Sequence, residues 1–203
     1  WSFNEHYPSR RAATLAIAKV VQEEARDLER AGAQYIQIDE PAISTRPEEM
    51  DLAIEALGMV TKGLRAKTLT HICYGDFTAI GPKLHKLPVD QIDLEFANRN
   101  FELLDFFRGK RFSKEIGLGV VDVHSHRIES TEEVVANLKE ALTVFRPEQI
   151  YVDPDCGLKT RSPQEAIQKL RVVVEATRAV REWLAESNGK VRRQKVSLAT
   201  AAR

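Results

Sequence analysis

Five short apolar runs alternate with longer stretches of helical periodicity, and this alternation is what most constrains the fold. The runs are Tyr35–Ile38, Leu69–Cys73, Gln91–Leu94, Ile116–Val123 and Gln149–Asp153, rich in β-branched and aromatic residues and therefore read as strands. Helical spacing is read over about 9–30, 47–64, 78–86, 99–109, 130–145 and 162–186. Thr45 with Glu48 and Ser130 with Glu133 have capping-box spacing, and Ser162-Pro163 puts proline at a first helical position. Strands that alternate with helices make a parallel sheet, because a parallel pair needs a crossover. The pattern fades after Glu186, which divides the chain into one domain, 1–186, and a basic tail, 187–203.

Each strand ends on chemically active side chains. Asp39 and Glu40 close the first, His71 and Cys73 the second, and Glu95 the third. Asp122 and His124 close the fourth, and Asp153, Asp155 and Cys156 the fifth. In parallel α/β folds, and above all in TIM (β/α)8 barrels, these C-terminal strand ends build the active site. The expected architecture is therefore α/β, about five of the eight β/α units of a TIM barrel.

Composition excludes several alternatives. Among 203 residues, 30 basic side chains balance 30 acidic ones, which argues against a nucleic-acid partner. No run approaches the roughly 20 apolar residues of a membrane span, so no membrane partner is expected. Two cysteines cannot form a disulfide scaffold. Reduced cysteines and the lack of a signal-peptide pattern point to the cytoplasm.

The same two cysteines suggest a metal. Residues i and i+2 of a strand share a face, so His71 and Cys73 present an imidazole and a thiol side by side. With Glu95 and Cys156 they make a His-Cys-Glu-Cys set of the kind Zn2+ accepts in a tetrahedral shell. Structural zinc modules take ligands at short paired spacings, whereas these spread from 71 to 156, which favours a catalytic ion. A histidine is suited to proton transfer near neutral pH, but spacing leaves His124, Asp122 and His126 equal as the acid. Glu40 reads as a turn-capping carboxylate, and Lys159 and Arg161 as solvated loop charges.

Gln37-Ile-Asp-Glu-Pro-Ala42, Thr70-His-Ile-Cys-Tyr74, Leu94-Glu95, Gly119-Val-Val-Asp-Val-His-Ser125 and Asp153-Pro-Asp-Cys-Gly-Leu-Lys-Thr-Arg161 together resemble the C-terminal barrel of cobalamin-independent methionine synthases. The resemblance reaches to about residue 185 and implies that the chain covers the last five β/α units of such a barrel. It implies one catalytic zinc on His71, Cys73, Glu95 and Cys156, His124 as proton donor, Asp39 on the amino group of homocysteine, and Trp1 against the pterin ring. The implied reaction moves a methyl group from 5-methyltetrahydrofolate, polyglutamylated or not, to the thiolate of homocysteine, giving methionine. Thr45 and the Phe96–Asn100 loop depart from the family's methyl-donor residues. That departure opens a methylated corrinoid protein as donor, or another thiol such as coenzyme M as acceptor. A non-enzymatic reading is a partner subunit with a structural zinc.

Overall fold

The computed structural model describes residues 4–73, 75 and 77–201, with side chains described up to 187. Trp1 therefore lies outside the described residues. Five parallel strands form one sheet in strictly sequential order. They are β1 (Tyr35–Gln37), β2 (Lys67–Ile72), β3 (Gln91–Leu94), β4 (Glu115–Gly119) and β5 (Ile150–Asp153). Helices α1 (Arg10–Arg30), α2 (Met50–Thr61), α3 (Phe77–Leu84), α4 (Leu103–Phe107), α5 (Thr131–Ala141) and α6 (Pro163–Ala201) precede, connect and follow them. The sheet is open among the described residues, with β1 and β5 as its edges.

Alternation along the strands separates two faces. Thr68, Thr70 and Ile72 of β2 are buried beneath the helices, while Lys67, Leu69 and His71 are only half-buried. The helix-facing side forms the main core: Ile72, Ile92, Leu94, Ile116 and Leu118 meet Leu57, Ile80, Leu84, Leu104, Val134 and Leu138. Burying a side chain of this size contributes about 1.5–3 kcal/mol, and this layer carries most of the apolar burial. The opposite face is largely polar, and its register sets His71 beside Asp93 and Gly119 beside Asp153.

Serine caps open three of the six helices. Ser9 Oγ accepts the Ala12 N–H at 3.1 Å, Ser130 Oγ the Glu133 N–H at 3.1 Å, and Ser162 Oγ the Glu165 N–H at 3.2 Å. The Thr45–Glu48 box does not form. Thr45 Oγ1 donates to the Ala42 carbonyl instead, and a 3-10 turn at Pro47–Glu49 leads into α2 at Met50. Here proline at the first position of the turn satisfies the geometry without a side-chain cap. β4 stops at Gly119 rather than Val123, although Val120 still donates to the Asp153 carbonyl and Asp155 to that of Val121. The helix expected to end near 186 continues to Ala201, so 187–201 extends α6 rather than trailing from it. Lys, Arg, Gln, Leu and Ala favour helix there, and Gly189 alone costs only about 1 kcal/mol. Along α1, Ala18 and Ala25 are buried, while Ile17 and Leu28 are exposed.

Candidate metal centre

β2 ends with His71 and the following Cys73 on the polar face, and the turn after β5 brings Cys156 to the same place. One ligand atom from each lies within 4.8 Å of those of the other two. A zinc ion held tetrahedrally by sulfur and nitrogen needs ligand atoms about 3.4–3.8 Å apart, given Zn–S and Zn–N bonds of about 2.3 and 2.0–2.1 Å. Both cysteines are free thiols, Cys73 buried and Cys156 half-buried. His71 Nε2 is buried and has no hydrogen-bond partner among the described residues. A buried ring nitrogen without a partner is costly unless something else takes its lone pair or proton.

Electrostatics point the same way. Burial pushes the Cys73 thiol up to about 11, and the neighbouring Cys156 and Glu95 add to the shift. Without a cation this pocket opposes thiolate formation; a divalent ion would reverse the sign, because a coordinating thiol is deprotonated outright. The residues present therefore fit a soft divalent metal such as zinc.

Glu95 lies close enough to raise the Cys73 pKa but is not one of the three grouped residues. Its carboxylate is fully buried. Oε2 accepts from Asn98 Nδ2 at 2.7 Å, and Oε1 stands 3.5 Å from His124 Nε2. The predicted fourth ligand thus sits beside the trio, between Asn98 and the predicted acid.

The three residues that spacing left equal as acid occupy different places. His124 turns toward Glu95, with its backbone N–H donating to Asp122 Oδ1 at 2.8 Å. Asp122 closes its own turn by that bond. His126 Nδ1 meets Glu165 Oε1 of α6 at 2.7 Å, away from the cysteines. Asp39 is exposed at the end of β1, where its Oδ1 accepts from Gln37 Nε2 at 2.8 Å. Glu40 caps its turn as expected, accepting the Ala42 N–H at 3.1 Å, and burial raises its pKa. Lys159 is exposed, whereas Arg161 is half-buried with Nε and Nη1 lacking partners among the described residues.

The strand-tip pattern names Asp153 and Asp155 without a role and misses Asp93, Glu129 and Lys169. Asp155 is fully buried, and its carboxylate accepts the N–H groups of Phe96, Ala97 and Asn98 at 3.0, 3.0 and 2.7 Å. Burial pushes its pKa up to about 7 against the downward pull of those donors. Asp93 and Asp153 are raised as well, each first by burial. Lys169 of α6 is fully buried and donates to Glu129 Oε2 at 2.8 Å, while Glu129 Oε1 accepts the Asp122 N–H at 2.9 Å. The loop that carries His124 is thereby anchored to α6. Two strand glycines, Gly117 and Gly119, are the signal that could have found the aspartates, since glycine inside a strand marks close approach. A Cβ at Gly117 would lie 2.7 Å from Asp93 Cβ, and one at Gly119 2.7 Å from Asp155 Cα.

Residues 1–179 match the family model described as "Cobalamin-independent synthase, Catalytic domain". The chain belongs to that family. Methionine synthase of Sulfurisphaera tokodaii is 47% identical over 184 residues, 91% of this chain and 54% of that protein. The methionine synthase of Pyrococcus furiosus is 42% identical over 190 residues, 94% of this chain and 56% of that protein. Among solved structures, a B12-independent methionine synthase from Shewanella sp. W3-18-1 in complex with selenomethionine superposes with a TM-score of 0.82 at 33% identity. That match covers 91% of this chain and 59% of the Shewanella chain. The chain thus spans about half the length of the curated methionine synthases it matches. Five consecutive parallel β/α units, with the cysteines at their C-terminal ends, are the form the cobalamin-independent synthase domain takes here.

Proposed function

We propose that this chain carries the zinc centre of an S-methyltransferase that makes methionine from homocysteine, with a methylated tetrahydrofolate as donor. The observation that carries this reading is the convergence of His71, Cys73 and Cys156, with the buried His71 Nε2 lacking a partner among the described residues. The family match supports the reaction class, and the Shewanella relative was solved with selenomethionine, the selenium analogue of the expected product. On this reading His71, Cys73 and Cys156 hold the ion and Glu95 completes the set. Zinc, when bound, supplies stabilisation of a thiolate at neutral pH, where a free thiol of pKa about 8.5 is mostly protonated.

The chain's own residues do the rest. Asp39 offers an exposed carboxylate to the ammonium of homocysteine. The substrate sulfur attacks the methyl carbon in line, and the carbon–nitrogen bond breaks with its electron pair left on the donor nitrogen. That nitrogen needs a proton, and His124 gives it. The Glu95 carboxylate, 3.5 Å from His124 Nε2, orients the ring for that transfer. Trp1 is assigned to the pterin ring on the resemblance alone.

The test is metal content and methionine formation together. Purified protein should hold one zinc per chain and form methionine from homocysteine and methyltetrahydrofolate or its triglutamate. Methionine formed only from methylcobalamin or a methylated corrinoid protein would move the donor assignment and leave the zinc centre intact. Protein without stoichiometric zinc would overturn the reading.

A further inference from the structure

The two thiols and Glu95 come from three separate strand ends, so something must hold those ends in fixed relation. Asp155 is placed to do this. It immediately precedes Cys156, and its fully buried carboxylate reaches across to the turn that follows Glu95. Oδ1 accepts from the Phe96 and Ala97 N–H groups, and Oδ2 accepts from that of Asn98. These donors open the 3-10 turn Ala97–Arg99, whose first residues have no partner within the turn itself. Asn98 then turns its side-chain amide onto Glu95 Oε2 at 2.7 Å, and Glu95 Oε1 faces His124. From the other side, Asp155 N–H donates to the Val121 carbonyl at 3.0 Å, three residues before His124. Gly119 leaves the space that the aspartate occupies.

We propose that Asp155 is a positioning residue of the metal centre: its carboxylate clamps the 96–98 turn, and through Asn98 it fixes Glu95 relative to Cys156 and His124. This rests on the zinc reading above for its consequence, but the clamp itself does not need the metal. Asn98 is the relay. Orientation of a ligating or neighbouring carboxylate by such outer partners is commonly worth about 10–100-fold in metal affinity or activity.

The experiment compares wild type, Asp155→Asn and Gly119→Ala. Amide hydrogen exchange is read at 96–98 in metal-free protein, and zinc affinity and the visible spectrum of cobalt-substituted protein are read alongside. Asparagine keeps one carbonyl oxygen for Phe96 and Ala97 and presents an amide to the Asn98 N–H. Exchange should therefore rise most at Asn98, by about tenfold or more, and less at its two neighbours. Zinc affinity should fall by about 10–100-fold and the cobalt spectrum should change, with far-ultraviolet circular dichroism as in wild type. Gly119→Ala replaces no ligand but presses on the Asp155 carboxylate and on the backbone before Cys156, so it should reproduce the faster exchange at 96–98, which keeps the clamp falsifiable if Asp155→Asn does not fold. Unchanged exchange at 96–98 overturns the clamp whether or not metal binds. Faster exchange with wild-type zinc affinity and cobalt spectrum also overturns it, because Asp155 would then only brace a loop. A wild-type chain that takes up no metal overturns the zinc reading instead, and exchange still decides the clamp.

Discussion

The two ends of the same sheet face are built to opposite specifications. At the N-terminal end, Lys67 Nζ donates to both oxygens of Glu115, at 2.7 and 2.8 Å, and to Tyr151 Oη at 3.1 Å. Its charge also lies over the rings of Tyr35 and Tyr151. The ammonium is held above its ordinary pKa first by the Glu115 bond, so the charges at this end of the face are paired by its own members, although the buried Gln91 Oε1 has no partner among the described residues. Four residues further along β2, His71 carries a buried nitrogen with no partner among the described residues, and Asp153 and Asp155 are pushed upward by burial. The strands supply the same geometry at both ends, and only the side chains differ. A finished network contributes stability; an unfinished one is a place where a ligand can complete it. Barrel folds follow this division, with stability at the N-terminal face and chemistry at the C-terminal face.

The largest expected effect lies at the unfinished end. Cys156→Ala removes one of the three converging side chains proposed to hold the ion. Since loss of an outer partner alone costs about 10–100-fold, zinc affinity should fall by more than about 100-fold and methionine formation with it. Folding should change little in the metal-free protein, because Cys156 is only half-buried. Equilibrium dialysis with zinc, read against urea denaturation without it, checks both halves. Undiminished zinc binding would erase the contrast between the two ends.

Next comes the ion pair behind the His124 loop. Lys169→Met leaves Glu129 buried without its cation, and breaking a buried pair from one side costs about 3–5 kcal/mol. The loss should appear in the urea midpoint. A smaller loss, near that of an exposed pair, would mean that water reaches Glu129. The matching change at the other end, Lys67→Met, involves side chains 29% and 25% exposed and should cost only about 1 kcal/mol. It should leave zinc affinity alone. A shift in metal binding on Lys67→Met would show that the two ends are coupled through the sheet.

How far the sequence discloses all this depends on the range of the signal. Periodicity and strand-tip chemistry are local, so the five strands, their parallel order and the meeting of His71, Cys73 and Cys156 could be read directly. The Thr45–Glu48 box failed because a proline two residues on offered another way to start the turn. Asp155 stood among the strand-tip charges with no role assigned, because its three donors are 57 to 59 residues away in the chain. Lys169 drew no reading for the same reason, since Glu129 lies 40 residues earlier. Burial of a charged group is a property of the assembled layers, and only Gly117 and Gly119 hinted at it in advance.

The smallest expected effect concerns the exposed margin of the active end, where α6 begins. Glu165 Oε2 accepts the Ser162 N–H at 2.8 Å and Oε1 meets His126. The Ser162 N–H bond, then the His126 bond, hold the Glu165 carboxyl down to about 2, below an ordinary glutamate value near 4.3. A carboxylate with a depressed folded-state pKa stabilises the fold in its charged form. Its contribution is therefore complete above the unfolded value and fades as pH falls from about 4.3 toward about 2. Glu165→Gln should lower the urea midpoint slightly at pH 7, and the difference from wild type should shrink at pH 3. It should leave metal affinity unchanged, because Glu165 braces His126 rather than His124. A gap that widens on acidification would reverse the sign of the linkage, and a loss of zinc affinity would extend the unfinished end beyond the residues assigned to it.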